Sequence, residues 1–416
     1  MLLMGIAAPW AVGILTEQQW GEATREVNAA QPFLAFSTAH YQRHFFSADV
    51  EGRINLRDPE TGEIRQLPYR GTVDHGVTGS RLTLHPEKGE TAISGLFPDE
   101  QPTIVITTHV WGAAEVSFSV PAIELKDANT GASVAIAASH GQFRVSDIGD
   151  HLAMSLDWPG MQIQAPNGKV EVSGIHFSES MTRLQGEVWT GSGHLGLAQV
   201  RVAPSDHAPM ALTNLKIDSS VSADQSGERL DSRLTLSAEQ LTAGDEVSGP
   251  FHLEFAVRNA SVSAWNQLVA TVHTLQAAPT DTGSATSPVE QRRQALQALS
   301  GALRQFAAAG VALGVPSLTL TTPEGVVNGR LMLRHPELPV AKQGELMLIM
   351  QRLTGTASLT IPAGLVASRA TLMDQLGPLL QRGLVTRKGD EFRFSATLKD
   401  LELNINGKQI PLPPLI

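Results

Sequence analysis

Residues 212–257 alternate apolar and polar side chains with a period of two. Leu215, Ile217 and Val221 alternate with Asn214, Lys216, Asp218 and Ser220, and Leu234, Leu236 and Ala238 with Arg233, Thr235 and Ser237. After a Gly- and Pro-containing break, Phe251, Leu253, Phe255 and Val257 alternate with His252, Glu254 and Arg258. That period sends successive side chains to opposite faces of a strand, and strict alternation favours antiparallel sheet with one face covered and one face wet. The pattern recurs through much of the chain. Strands are expected at Asp49–Arg57, Ile64–Tyr69, Thr103–Val110, Glu115–Leu125, Ser133–Ala138, Gln142–Ser146, His151–Trp158 and Met161–Ala165. More are expected at Lys169–Val172, Ile175–Phe177, Leu184–Val188 and Leu195–Val202, with Asn167-Gly168 as the strongest hairpin signal. The C-terminal part predicts strands at Ser317–Thr322, Val326–Arg334, Glu345–Arg352, Ala357–Ile361, Glu391–Lys399, Leu401–Ile405 and Lys408–Leu412.

Helical spacing is rarer. Val262, Trp265, Leu268, Val269, Val272 and Leu275 fall on one helical face, with Ser261 or Ser263 placed to cap it. A second stripe comprises Leu296, Leu299, Leu303, Phe306 and Leu313, and a third helix covers about Ala363 to Leu380 with Pro378 bending it. At the start, residues 1–15 are uncharged and almost wholly apolar, which reads as a membrane anchor, short of a full span and without a basic flank. Trp20, Ala23 or Thr24, Val27 and Ala30 then lie along an amphipathic helix over 16–31. The expected division is an anchor at 1–15, that helix at 16–31, a β-rich region ending in a helix at 32–276, a linker at 277–288 and a helix plus β-rich region at 289–416. The fold class is mainly β: an extended antiparallel sheet of repeated hairpins, a few amphipathic helices and an N-terminal membrane-anchor helix. A loose echo between Pro121–Leu125 with Gly131 and Pro316–Leu320 with Gly325 suits hairpin units stacked along one sheet.

Composition narrows the partners. A net charge of -10 argues against nucleic acid and against an electrostatic hold on anionic lipid. There is no cysteine, which removes disulfides, thiolate metal sites and a thiol nucleophile. The 13 histidines fall in no H-x-H or HExxH arrangement, so no metal or cofactor is expected. Asp74-His75 is the most tempting chemical pair, but neighbours on an extended strand point to opposite faces and cannot bond directly. Tyr41, Phe45 and Phe46 read either as an aromatic recognition patch or, in preference, as a core plug near the anchor. Trp265 reads as core-facing unless its helix covers a groove.

Tyr41-Gln42-Arg43-His44-Phe45-Phe46-Ser47 and Val73-Asp74-His75-Gly76 resemble two N-terminal motifs of the YdgA-like family of bacterial envelope proteins. The likeness continues at Leu215-Lys216-Ile217, Leu230-Asp231-Ser232, Leu241 and Gly249 to Val257, then at Leu320–Gly325 and Leu403–Lys408. His44 stands where that family usually has Gly, and Val77 where it often has Pro. The resemblance implies an inner-membrane anchor with the bulk in the periplasm, and no mechanism. The expected function is a non-enzymatic envelope protein, joined to the membrane through its N-terminal segment, whose apolar β surface binds lipid, amphiphile or envelope protein. An envelope hydrolase using His75 and a structural assembly scaffold are the alternatives. Candidate binding residues are Tyr41, Phe45, Phe46, Asp74, His75 and Trp265.

Overall fold

The computed structural model describes residues 12–22, 24–25, 28, 33–58, 61–87, 96–97, 100–277 and 288–412. The fold is mainly β, with strand over 59% of the chain and every resolved pairing antiparallel. Contacts divide the chain into two units, residues 1–181 with 200–207 and residues 182–199 with 208–416. Two of its three boundaries, at 181/182 and 199/200, fall within strands and the third, at 207/208, in a connection; residues 278–287 of the expected 277–288 linker lie outside the described part.

In unit 1 the strands run as a meander: β1 (Leu34–Arg43), β2 (Ser47–Arg57), β3 (Ile64–His75), β4 (Gly79–Pro86), β5 (Thr103–His109) and β6 (Ala114–Val120). Then β7 (Ile123–Lys126) pairs with β8 (Ser133–Ile136), while β9 (Ser139–Ser146) sits against β6. The first half of β10 (His151–Ala165) pairs with β9 and the second half with β8. The two expected strands at 151–158 and 161–165 are thus one. The chain passes through Gly160 at φ +133°, where a Cβ would lie 1.9 Å from the Val172 carbonyl oxygen, a position that only glycine fills. Alternation gives the covered face its core of Ala48, Val50, Tyr69, Val73, Leu82 and Leu84. Residues 12–22 form a helix, α1, which lies on that face with Trp20 packed against this cluster.

The N-terminal expectation is met only in part by the described residues. The expected break after Leu15 falls inside α1, which carries Glu17, Gln18, Gln19 and Glu22. No helix among the described residues is long and apolar enough to cross a membrane. Residues 1–11, most of the expected anchor, lie outside the described part, as do Ala23, Val27 and Ala30.

The strands β11 (Gly168–Gln185) and β12 (Val188–Pro204) carry residues of both units. The expected strand at 184–188 is instead broken by a turn at 186–187, where Gly186 adopts φ +61°. Unit 2 continues with β13 (Met210–Ala223), β14 (Arg229–Ala238), β15 (Gln240–Ala243), β16 (Glu246–Ser248), β17 (Phe251–Ser261), β18 (Val311–Thr322), β19 (Gly325–His335) and β20 (Thr354–Pro362). The strands end with β21 (Thr386–Lys388), β22 (Glu391–Lys399), β23 (Glu402–Ile405) and β24 (Lys408–Pro411). Asn214, at φ +51°, bends β13, so that its first part pairs with β15 and its second with β14.

Register sorts polarity between the two faces of this sheet along its central row. Ile217, Leu236, Leu253, Leu318, Gly329, Leu359 and Phe394 are successive partners across seven strands, and none is polar. One residue earlier or later on each strand, the partners are Lys216, Ser237, His252, Thr319, Asn328, Thr360 and Arg393. Helices cover parts of the apolar face. The helix α2 (Val262–Ala277) starts where Ser261 Oγ accepts from the Ala264 N–H, and with α3 (Pro288–Ala308) it closes a core of Val188, Leu230, Ala260, Val262, Phe306 and Val311. The short helices α5 (Ala363–Ser368) and α6 (Ala370–Gln381), split at Arg369 instead of forming one helix, cover Val366, Val385 and Phe392.

Two further expectations fail, each for a local reason. Residues 345–352 are not a strand: Leu346–Arg352 is α4, because its Leu- and Met-rich run has no period of two and suits a helix. Leu313 belongs to β18 rather than to the helical stripe, since Gly310 at φ +88° ends the turn after α3. Within α3, Phe306 and Ala302 are buried, whereas Leu296 and Leu303 are exposed.

Gly52 gives a local test of the packing. A Cβ there would lie 2.2 Å from the Ser37 carbonyl oxygen and 2.5 Å from Tyr69 Oη. Gly52→Ala should therefore destabilise unit 1 by about 1–3 kcal/mol, read as a lower Tm, whereas Gly21→Ala, a helical position with open space at its Cβ and no positive φ, should leave Tm unchanged or raise it slightly.

A candidate apolar binding cavity in unit 1

Antiparallel register carries the apolar face of unit 1 from strand to strand: Leu84 opposite Ile104, Leu82 opposite Ile106, Ile106 opposite Val116, and Val116 opposite Phe143. The helix α1 stands over part of this face without filling the space beneath it. The result is a cavity of about 470 Å³, lined by Trp20, Phe36, Tyr41, Val73, Leu82, Leu84, Ile104, Ile106, Ala114, Val116 and Phe143. Its few polar contributors are Thr16, Gln19, Thr24, Ser80, Thr108 and His109. The volume lies within the roughly 300–1,000 Å³ of small-molecule sites, and an apolar lining with a few polar groups is their usual composition.

Three polar contacts fasten α1 above the cavity. Thr16 Oγ1 lies 2.5 Å from Ser80 Oγ, Arg43 Nη1 is 3.2 Å from Glu17 Oε2, and Trp20 Nε1 donates to Thr38 Oγ1 at 2.9 Å. Trp20 also meets Phe36 edge to face, with ring centroids 6.4 Å apart.

His75 lies behind the first of these contacts and is buried. A Cβ on Gly13 of α1 would lie 3.0 Å from the His75 ring, so glycine there lets the helix approach. His75 Nδ1 is 3.3 Å from Ser80 Oγ, and Nε2 has no hydrogen-bond partner among the described residues. Thr16 spends its proton on the Val12 carbonyl oxygen, at 2.8 Å, so Ser80 is the donor in the Thr16–Ser80 contact. Ser80 then accepts from the Nδ1–H of a neutral imidazole. In that order the serine proton points away from the ring, which is the opposite of what base activation of Ser80 requires.

Burial, aided by the Arg43 guanidinium, holds the His75 pKa below its ordinary value, while the Ser47 carbonyl and Asp74 pull weakly the other way. Tyr41, whose buried hydroxyl has no partner among the described residues, is pushed up to about 12 by burial first and then by Glu17. Both groups are therefore neutral at neutral pH, which suits an apolar ligand.

The sequence-proposed site residues separate. Tyr41 lines the cavity and His75 adjoins its Thr16–Ser80 edge. Asp74 is exposed on the opposite face of β3, as strand geometry requires. Phe45 and Phe46 are not a core plug: they stack edge to face in the β1–β2 turn, 4.7 Å apart, and both are exposed. Trp265 is in unit 2, edge to face with Phe306 at 5.9 Å, and takes no part in this cavity. Sequence reasoning missed Thr16, Ser80 and Thr108. The only available signal was that each is a small polar residue at an inward position of an otherwise apolar run.

A family model described as "Bacterial protein of unknown function (DUF945)" matches residues 1–413. The chain belongs to that family. No curated protein and no solved structure matches this DUF945 member.

Below the ordinary imidazole value of about 6.5 the unfolded chain takes up a proton that the folded His75 resists, so stability is lost as pH falls from there towards the lower folded value. His75→Asn should remove that component: the wild-type Tm should fall more than the variant's between pH 7.5 and 5. Parallel Tm curves would show that His75 is not held neutral.

Proposed function

We propose that this DUF945 member is a non-enzymatic carrier or holder of amphiphiles, with the unit 1 cavity accepting an acyl chain. The observation that carries the reading is the cavity itself, about 470 Å³ with an almost wholly apolar lining. Each methylene moved from water into such a lining contributes about 0.8 kcal/mol, so a long single chain suits it better than a compact polar metabolite. Thr16, Ser80, Thr108 and His109 lie where a ligand's polar end meets hydrogen-bonding groups.

The half-buried apolar row of unit 2 supports the same reading, since it offers a second surface of the same chemistry. The likeness to YdgA-like proteins, together with the uncharged apolar stretch at 1–15, supports placement at the inner membrane with the bulk in the periplasm. The proton order at Ser80 speaks against a hydrolase built on His75.

Mass spectrometry of solvent extracts from the purified full chain tests the carrier reading. An acyl lipid at about one per chain is expected, and it should be lost in Ala114→Phe, whose larger side chain occupies the cavity. A wild-type chain that is free of lipid and does not take up a fluorescent fatty acid would overturn it.

A further inference from the structure

We propose that one rim of unit 1 is a membrane-docking surface, whose turn tips insert into the interfacial layer of an electrically neutral bilayer. The register places four turns at the same end of the sheet. Arg43 opposite Ala48 leads into the β1–β2 turn, His75 opposite Ser80 into β3–β4, Thr108 opposite Ala114 into β5–β6, and Ser146 opposite His151 into β9–β10. Each turn carries large apolar side chains that the fold leaves outside. They are Phe45 and Phe46 (57% exposed) in the first, Val77 (59%) in the second, Val110 and Trp111 (58%) in the third, and Ile148 (85%) in the fourth.

Polar turns would cost the fold nothing, so single exposed apolar residues need no explanation but six on four adjoining turns do. Ile148 is the sharpest case. It is β-branched, lies at φ 57° and ψ 37°, a region such residues avoid, and still presents its side chain to the outside. The turns touch: the Val110 N–H donates to the Thr78 carbonyl at 2.9 Å, and a Cβ on Gly112 would lie 3.1 Å from Ile148 Cγ1.

Three observations select a bilayer as the occupant. Tryptophan and phenylalanine on loop tips are the side chains that partition best into the headgroup boundary. The described start of α1 lies at this same rim, where Gly13 abuts His75 and Arg43, and the eleven residues that precede it in sequence carry no charged side chain. Finally, residues 76–78 and 110–113 carry no charged side chain, the fourth turn carries Asp147 and Asp150, and at the first turn Arg43 and His44 are matched by Glu17 and Asp49, so no basic excess is present to seek anionic lipid. The β5–β6 turn also links rim and cavity: His109, Gly112 and Ala113 line the cavity, while Val110 and Trp111 face outward. Docking does not require the cavity to be occupied.

Flotation of the full chain with phosphatidylcholine vesicles tests this. The wild-type chain should float, and adding phosphatidylglycerol or salt should change its partition coefficient less than about twofold. Trp111→Ser and Phe46→Ser should each lower the partition coefficient about tenfold, and Phe46→Ser/Trp111→Ser/Ile148→Ser about a hundredfold or more, with circular dichroism and Tm unchanged. Trp111→Phe should still float but lose most of the fluorescence quenching by bromine-labelled acyl chains. Ala114→Phe, which blocks the cavity, should float like the wild type, so loss of ligand and loss of docking are read separately. Undiminished floating of the triple variant would overturn the proposal by assigning attachment to residues 1–11. Binding that appears only with phosphatidylglycerol and disappears in salt would overturn it too. So would absence of floating by the wild type together with a dimer that the triple variant dissolves, since the rim would then fit a second copy.

Discussion

A sheet of one layer with a mainly apolar face gains by having that face covered, and that requirement organises both units. Side-chain alternation and antiparallel register act together, so that polarity is sorted strand after strand. Lys216, Asn328 and Arg393 go to one face, and Ile217, Leu318 and Phe394 to the other. Strands that sort so cleanly cannot bury their apolar side among themselves. Helices have to supply the second layer, and here they are few and short.

The two units meet the shortage differently. In unit 2, helices α2 and α3 bury Val311 and Leu230, and α5 with α6 buries Phe392, leaving the central row half-buried and Leu234, Phe255 and Leu331 exposed. In unit 1 one helix is held off the sheet by polar pegs. The Thr16–Ser80 and Trp20–Thr38 contacts fix its height, and the space beneath persists because Ala114, Thr108 and Gly112 are too small to fill it. The cavity thus follows from how the helix is mounted. It is not a flaw in the strands.

Strand periodicity was legible over most of the chain, because alternation is a local property of neighbouring residues. Its failures are instructive. The run Leu346-Met347-Leu348-Ile349-Met350 has no polar interruptions, so no period can be read from it and its length suggests a strand as readily as a helix. Pro159-Gly160 looks like a break, yet the strand passes through it because Gly160 accommodates the adjoining backbone. β4 was overlooked although Ser80, Leu82 and Leu84 alternate with Arg81, Thr83 and His85. The site was half legible. Tyr41 is legible as an aromatic patch residue and His75 as a titratable one, but the cavity joins α1 to strands some ninety residues later, and local pattern does not encode which helix stands over which row. Asp74 and His75 were separable from sequence alone, since opposite strand faces part them whatever the tertiary arrangement.

The attachment of α1 has a mechanical consequence. The helix is the cavity's roof, and its fastenings are spread along it in chain order from its described start. A force applied at the start of α1 reaches the Thr16–Ser80 contact first, then Glu17–Arg43, then Trp20–Thr38, so the fastenings are loaded in sequence, as in the opening of a zip. Loosening that begins at the N-terminal end of α1 therefore opens the cavity from the Ser80 side, so the order of these fastenings ties the mounting of the helix to the accessibility of the space beneath it.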